Sequence, residues 1–119
     1  MNFFLKYHIL FKNITLLFFS LNLFLFAAAQ PAIHFKLIDV ETTKPLEGVS
    51  ITIPELKLVK ITGENGLASF TNIQAGNYDV EFSLTGYEKV KLQLYLSINY
   101  TDTTIVILLK PEEKNLQQV

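Results

Sequence analysis

From Ile33 onward, apolar and polar residues alternate with a period of two. Ile33, Phe35 and Leu37 are separated by His34 and Lys36, and Val49, Ile51 and Ile53 by Ser50 and Thr52. Tyr78, Val80, Phe82 and Leu84 share one face, with Asp79, Glu81, Ser83 and Thr85 on the other. Val90, Leu92, Leu94 and Leu96 oppose Lys89, Lys91, Gln93 and Tyr95. Successive side chains of a strand point to opposite faces, so each run predicts a half-buried β-strand. Leu56 to Thr62 predicts a third strand, in which Leu58-Val59 blurs the alternation, and Ala68 with Phe70 predicts a short fourth. Glu88 to Leu96 is the sixth. Thr103 to Lys110 is nearly continuous in Ile, Val and Leu, which predicts a seventh strand buried on both faces or central in its sheet.

Turn residues punctuate these runs. Pro54 and Pro111 lack the N–H a ladder needs and end strands two and seven. Glu41 to Pro45 is a polar loop ending in Pro, Glu64-Asn65-Gly66 and Gln74-Ala75-Gly76-Asn77 are turns, and Gly86-Tyr87 closes strand five. Seven short strands with turn signals roughly every 8 to 12 residues, and no helical period after residue 29, predict an all-β fold. The expected architecture is a seven-stranded Greek-key β-sandwich, immunoglobulin-like or transthyretin-like.

The first 29 residues belong to a different pattern. Lys6, His8 and Lys12 give a basic start, Ile14 to Phe26 is dominated by Leu and Phe, and Ala27-Ala28-Ala29 supplies small residues. This predicts a secretory signal peptide over 1–29, cleaved between Ala29 and Gln30. An uncleaved N-terminal anchor is the alternative, because Phe3 to Leu5 and Ile9 to Phe11 extend the apolar stretch. One domain then spans 30–111, followed by a polar tail over 112–119. Such a leader implies export across the inner membrane; a periplasmic or outer-membrane-associated location is what a family resemblance carried by later residues implies. The chain has no Cys, so neither a disulfide nor lipoprotein-type acylation is open to it. A domain this small must draw its stability from a well-patterned apolar core.

Charge and residue inventory narrow the chemistry. Without Lys6 and Lys12, eight lysines face eleven acids, a net charge of −3, and there is no Arg. Nucleic-acid binders concentrate positive charge, so that class is excluded. A zinc hydrolase site needs three protein ligands, and after residue 29 the only imidazole is His34, read as a surface or strand-edge histidine. No Gly-x-Ser-x-Gly and no phosphate-binding Gly-rich loop is present. No cofactor, metal or catalytic residue is expected. Tyr95 and Tyr100 remain as a candidate surface contact, suited to stacking on a sugar or a protein partner.

Five sequence pieces, in order, resemble the carboxypeptidase regulatory-like domain. Leu37 and Asp39 match the end of its first strand, and Pro45-Leu46-Glu47-Gly48-Val49-Ser50-Ile51 its second element. Thr62-Gly63-Glu64-Asn65-Gly66 with Phe70 matches the third, and Gly76-Asn77-Tyr78 and Gly86-Tyr87 match the last two. The resemblance runs from about Ile33 to Pro111, with Phe35 where the family usually has Gly and Gly63 where it usually has Asp. It implies that Tyr78 and Tyr87 pack the sandwich edge. Such domains often form the N-terminal periplasmic extension of TonB-dependent outer-membrane receptors, where a TonB box follows. Leu116-Gln117-Gln118-Val119 is similar to the start of such a box. The resemblance implies a non-catalytic envelope module with a protein partner, in a shortened receptor or standing alone, meeting the membrane only through its leader or a receptor. The alternative is a secreted carbohydrate-binding or adhesion module with a glycan ligand.

Overall fold

The structure, a computed structural model, describes residues 2–23 and 30–114. An α-helix, α1, spans Asn2–Leu23. Among the described residues no helix is long and apolar enough to cross a membrane. The segment 24–29 and the tail 115–119, with the TonB-box-like Leu116, Gln117, Gln118 and Val119, lie outside the described residues.

Seven strands follow: β1 (Ala32–Asp39), β2 (Ser50–Ile53), β3 (Leu58–Ile61), β4 (Leu67–Thr71), β5 (Gly76–Ser83), β6 (Val90–Leu96) and β7 (Thr103–Leu109). They form two sheets, ordered β4-β1-β7 and β3-β2-β5-β6. The chain changes sheet after β1, β3, β4 and β6. All pairings are antiparallel except β1 with β7, which run parallel from Ile33 opposite Thr103 to Asp39 opposite Leu109.

The apolar positions that alternation assigned to the interior meet between the sheets. Ile33, Phe35, Leu37, Phe70 and Leu109 from one sheet pack on Ile51, Ile53, Val80, Phe82 and Leu94 from the other. Phe35, 0% exposed, sits at the centre, with Phe70 edge-on at 5.9 Å within its own sheet and Phe82 edge-on at 5.2 Å across the gap. Tilted contacts of this kind set the positive rim of one ring against the negative face of another. Each fully buried side chain of this size contributes about 1.5–3 kcal/mol, so the phenylalanine standing in place of the family's Gly supplies the middle of the core.

Two expectations need correction. The apolar run of strand seven does not mark a central strand: β7 is an edge, and Val106 and Leu108 are each 54% exposed on the outer face. Only Ile107 and Leu109 are buried, with Ile105 packing against the core. The run is apolar on both faces although one face is wet. Strand three does not start at Leu56. Pro54–Leu56 forms a single 3-10 turn with Pro at its start, and Lys57 takes a left-handed conformation (φ 53°) before the ladder begins at Leu58. Proline's fixed φ and missing N–H favour the first turn of a helix over continuation of a strand.

The β3–β4 turn is closed by a hydrogen bond from Gly66 N–H to Gly63 C=O at 2.9 Å. Gly66 C=O then accepts from Leu37 N–H at 2.9 Å, tying this turn to β1. Buried Thr62 links the same region: its hydroxyl donates to Leu46 C=O at 2.6 Å and accepts from Val49 N–H at 2.9 Å.

Candidate binding face

The outer face of β5 and β6 is built from the polar half of each alternating run. Register places Asn77 opposite Tyr95, Asp79 opposite Gln93 and Glu81 opposite Lys91. Directly opposed residues on one face are neighbours, about 4.5–5.5 Å apart at Cβ. Glu81 and Lys91 pair at 3.1 Å in an exposed salt bridge, an interaction worth little in water. The other two rows line a concavity of about 500 Å³ with Glu55, Asn77, Asp79, Gln93 and Tyr95, and Tyr78 beside them. Glu55 comes from the 3-10 turn. The β2–β5 ladder ends at Thr52 opposite Glu81, so Asp79 N–H lies beyond it. Glu55 Oε1 accepts that N–H at 2.9 Å and fixes the turn as one wall of the cleft.

The two tyrosines named from sequence occupy different settings. Tyr95 is 74% exposed and stands beside the cleft. Tyr100 is half-buried against the core, and its hydroxyl donates to Ile73 C=O at 2.9 Å. Both line a second hollow of about 410 Å³ along the open seam between β6 and β7, with Leu94, Leu96 and Ile105 in its wall. Tyr95 therefore stands between two concavities, while Tyr100 has committed its polar end to the fold. Tyr78 is buried, with its hydroxyl donating to Gln74 C=O at 2.7 Å.

His34 lies on the outer face of β1, where its Nδ1 is 2.6 Å from Ser69 Oγ of the neighbouring strand. Among the described residues, no three His, Cys, Asp or Glu side chains converge as a metal site would require.

A polar cluster missed at the sequence level sits where β1 ends. Asp39, 5% exposed, accepts Glu41 N–H at 2.8 Å and Thr42 N–H at 3.1 Å through Oδ1, and the Tyr87 hydroxyl at 2.7 Å through Oδ2. The Tyr87 hydrogen bond, followed by the backbone amide of Thr42, holds the Asp39 carboxyl below its ordinary value of 3.8; burial opposes the shift. The same bond, with burial and the nearby negative charge adding to it, raises the Tyr87 phenol above 10.0. A depressed acid stabilises the fold above its unfolded pKa, and that contribution is lost as pH falls through the folded value. A raised phenol stabilises the fold below its unfolded pKa, and that contribution is lost as pH rises through the folded value. Urea midpoints measured across pH are therefore expected to fall on two flanks, below about 4 and above about 10. Tyr87→Phe is expected to remove the cluster's share of the alkaline flank and shrink its share of the acid one. An unchanged pH profile for that variant would show that the cluster does not couple to folding. The sequence did carry a signal, since Asp39 and Tyr87 both fall in matched motif pieces, but only the fold brings them together.

Comparison with known proteins places this architecture. The CarboxypepD_reg-like domain model matches residues 35–119. A search of curated protein sequences finds no match. Among solved structures, 5-hydroxyisourate hydrolase from Klebsiella pneumoniae superposes with a TM-score of 0.54 at 18% identity, over 70% of this chain and 92% of that one. The pilus 2b backbone protein of group B streptococcus gives 0.51 at 18% identity, over 69% of this chain and 41% of that one. A candidate carbohydrate-binding protein from Bacteroides uniformis gives 0.52 at 13% identity, over 69% and 42%. The chain thus spans less than half the length of the latter two. At these identities the likeness is one of fold. With the family match covering most of its length, and the matched turn at Gly66 and pair Asp39–Tyr87 both structural, the chain belongs to the CarboxypepD_reg-like domain family.

Proposed function

We propose that this protein is a non-catalytic, exported β-sandwich module that works in the cell envelope by contact with a protein partner, as the N-terminal extension of a TonB-dependent receptor does. The observation that carries the reading is β3. It is an edge strand whose four residues are all exposed, and three of them, Leu58, Val59 and Ile61, are apolar. An exposed edge offers unpaired N–H and C=O groups as a template for a partner strand, and its apolar side chains add contact area. The basic, Leu- and Phe-rich first 29 residues support export. The similarity of Leu116-Gln117-Gln118-Val119 to a TonB box supports the receptor context. A single imidazole after residue 29 supports the absence of catalysis.

A photo-crosslinking residue placed at Val59 in the full chain, expressed in a Gram-negative host, tests the contact. The expected result is one discrete adduct in the envelope fraction that is lost when Ile61 is also changed to Lys, while the same probe at Lys89 gives none. Equal adducts from both positions would remove the case for β3. The reading frame beyond Val119 tests the receptor context: an in-frame plug-and-barrel sequence supports it, and an immediate stop codon favours a free-standing module.

A second reading, a secreted carbohydrate-binding or adhesion module, is favoured by the exposed ring of Tyr95 and by the fold shared with the Bacteroides uniformis candidate carbohydrate-binding protein.

A further inference from the structure

We propose that the cleft over β5 and β6 is a binding site for a neutral saccharide, with the ring of Tyr95 as its stacking platform and Asn77, Asp79, Gln93 and Glu55 as its hydroxyl partners; the proposal rests on the second reading above and gives it a location.

Three observations converge on this ligand class. The first is the pairing of one large exposed aromatic with short polar side chains on a rigid surface. Tyr95 is 74% exposed and directly opposite Asn77, in a ladder that continues through Asp79–Gln93 and the Glu81–Lys91 row. A pyranose ring has an apolar C–H face that lies flat on an aromatic ring, and an edge of hydroxyls that both donate and accept. Tyr95 suits the face. The amides of Asn77 and Gln93 offer a donor and an acceptor each, and the carboxylates of Asp79 and Glu55 accept.

The second observation is that the cleft is built before any ligand arrives. Its floor is two hydrogen-bonded strands, and its wall is held by Glu55 Oε1 on Asp79 N–H at 2.9 Å. A paired backbone fixes where these side chains start before binding, so no loop has to order and that part of the entropic cost is avoided. The volume of about 500 Å³ lies within the roughly 300–1,000 Å³ usual for small-ligand sites.

The third is charge. The lining holds two carboxylates and no lysine, so an acidic glycan would meet like charge. That selects neutral hexose or N-acetylhexosamine chains over uronic or sulfated ones. Tyr100 is outside this site: it lines the seam on the other side of Tyr95, and its hydroxyl already serves Ile73.

Titration of the ¹⁵N-labelled full chain with cellotetraose, mannotetraose, tetra-N-acetylchitotetraose and tetragalacturonate, followed by amide shifts, tests the site. Saturable shifts at Asn77, Asp79, Gln93 and Tyr95 with at least one of the three neutral sugars, and none with tetragalacturonate, are expected. Tyr95→Ala should weaken that binding about ten-fold or more, the loss typical of a central aromatic contact. Tyr95→Phe should keep it, and an unchanged melting temperature in both variants separates binding from folding. Neutral-sugar shifts confined to Tyr100 and the β6–β7 seam would overturn this site while leaving a carbohydrate-binding module standing. No saturable shift with any of the four sugars would overturn both. Shifts at the cleft with calcium chloride alone would replace the saccharide with a cation.

Discussion

Phe35→Ala is expected to cost the domain about 3–5 kcal/mol, a quarter or more of its stability. Phe35 is 0% exposed and contacts Phe70 and Phe82 edge-on, so among the described residues it is the one ring that touches aromatic partners in both sheets. Removing a buried phenyl group costs about 3–5 kcal/mol, through lost transfer free energy and the cavity left behind. A domain of this size has about 4–12 kcal/mol to lose. It has no disulfide to limit the unfolded chain. Phe35→Leu keeps most of the volume and should cost far less. Urea unfolding followed by far-ultraviolet circular dichroism measures both. A wild-type-like midpoint for the alanine variant would show that the sheets do not pack through this ring.

Gly66→Ala is expected to destabilise by about 3 kcal/mol or more, for two reasons that a paired variant separates. Gly66 has φ +72°, a region that costs an L-residue about 1–2 kcal/mol. An added Cβ would also lie 2.6 Å from Leu37 O and 3.1 Å from Leu46 N. Neither is the end of a flexible side chain. Leu37 is held on both sides, its N–H by Gly66 C=O and its C=O by Leu46 N–H, each at 2.9 Å, so relief means moving β1 or the Pro45-Leu46 segment. Gly86 serves as the control. Its φ is +87°, but nothing lies within 4 Å of its added Cβ. Gly86→Ala should therefore cost only the conformational part. Thermal unfolding of the two variants reads the difference directly, and equal losses would show that crowding at Leu37 contributes nothing.

How far the fold could be read in advance depended on whether a strand had one wet face. In β5 and β6 the outward residues are polar, so period-two alternation identified both the elements and their buried sides. In β7 the outward Val106 and Leu108 are as apolar as the inward Ile107 and Leu109. Alternation then carries no information, and a continuous apolar run predicts a strand buried on both faces or central where the fold has an edge with one wet face. The start of β3 was obscured differently, because Leu56 and Leu58 look alike in a pattern while the positive φ of Lys57 between them does not show in the sequence. The candidate cleft was half visible. Tyr95 stood out as an aromatic on a polar face. Asn77, Asp79 and Gln93 looked like ordinary solvent-facing residues until register set them opposite one another, and Glu55 until the 3-10 turn carried it over Asp79 N–H. Tyr100 stood out as well, but a turn position does not reveal where a hydroxyl ends up, here on Ile73 C=O.

The parallel pairing of β1 with β7 has a mechanical consequence. The backbone enters this sheet beside Thr103 and leaves it beyond Leu109, at the opposite pole, across seven paired positions, or about 20 Å at the usual rise of a parallel strand. Tension applied between the two ends of the domain pulls these neighbours lengthwise in opposite senses. The load then falls on the whole row of rungs at once, in shear, instead of peeling them one by one. A body strung between a membrane-side attachment and a second anchor would transmit force as a stiff link.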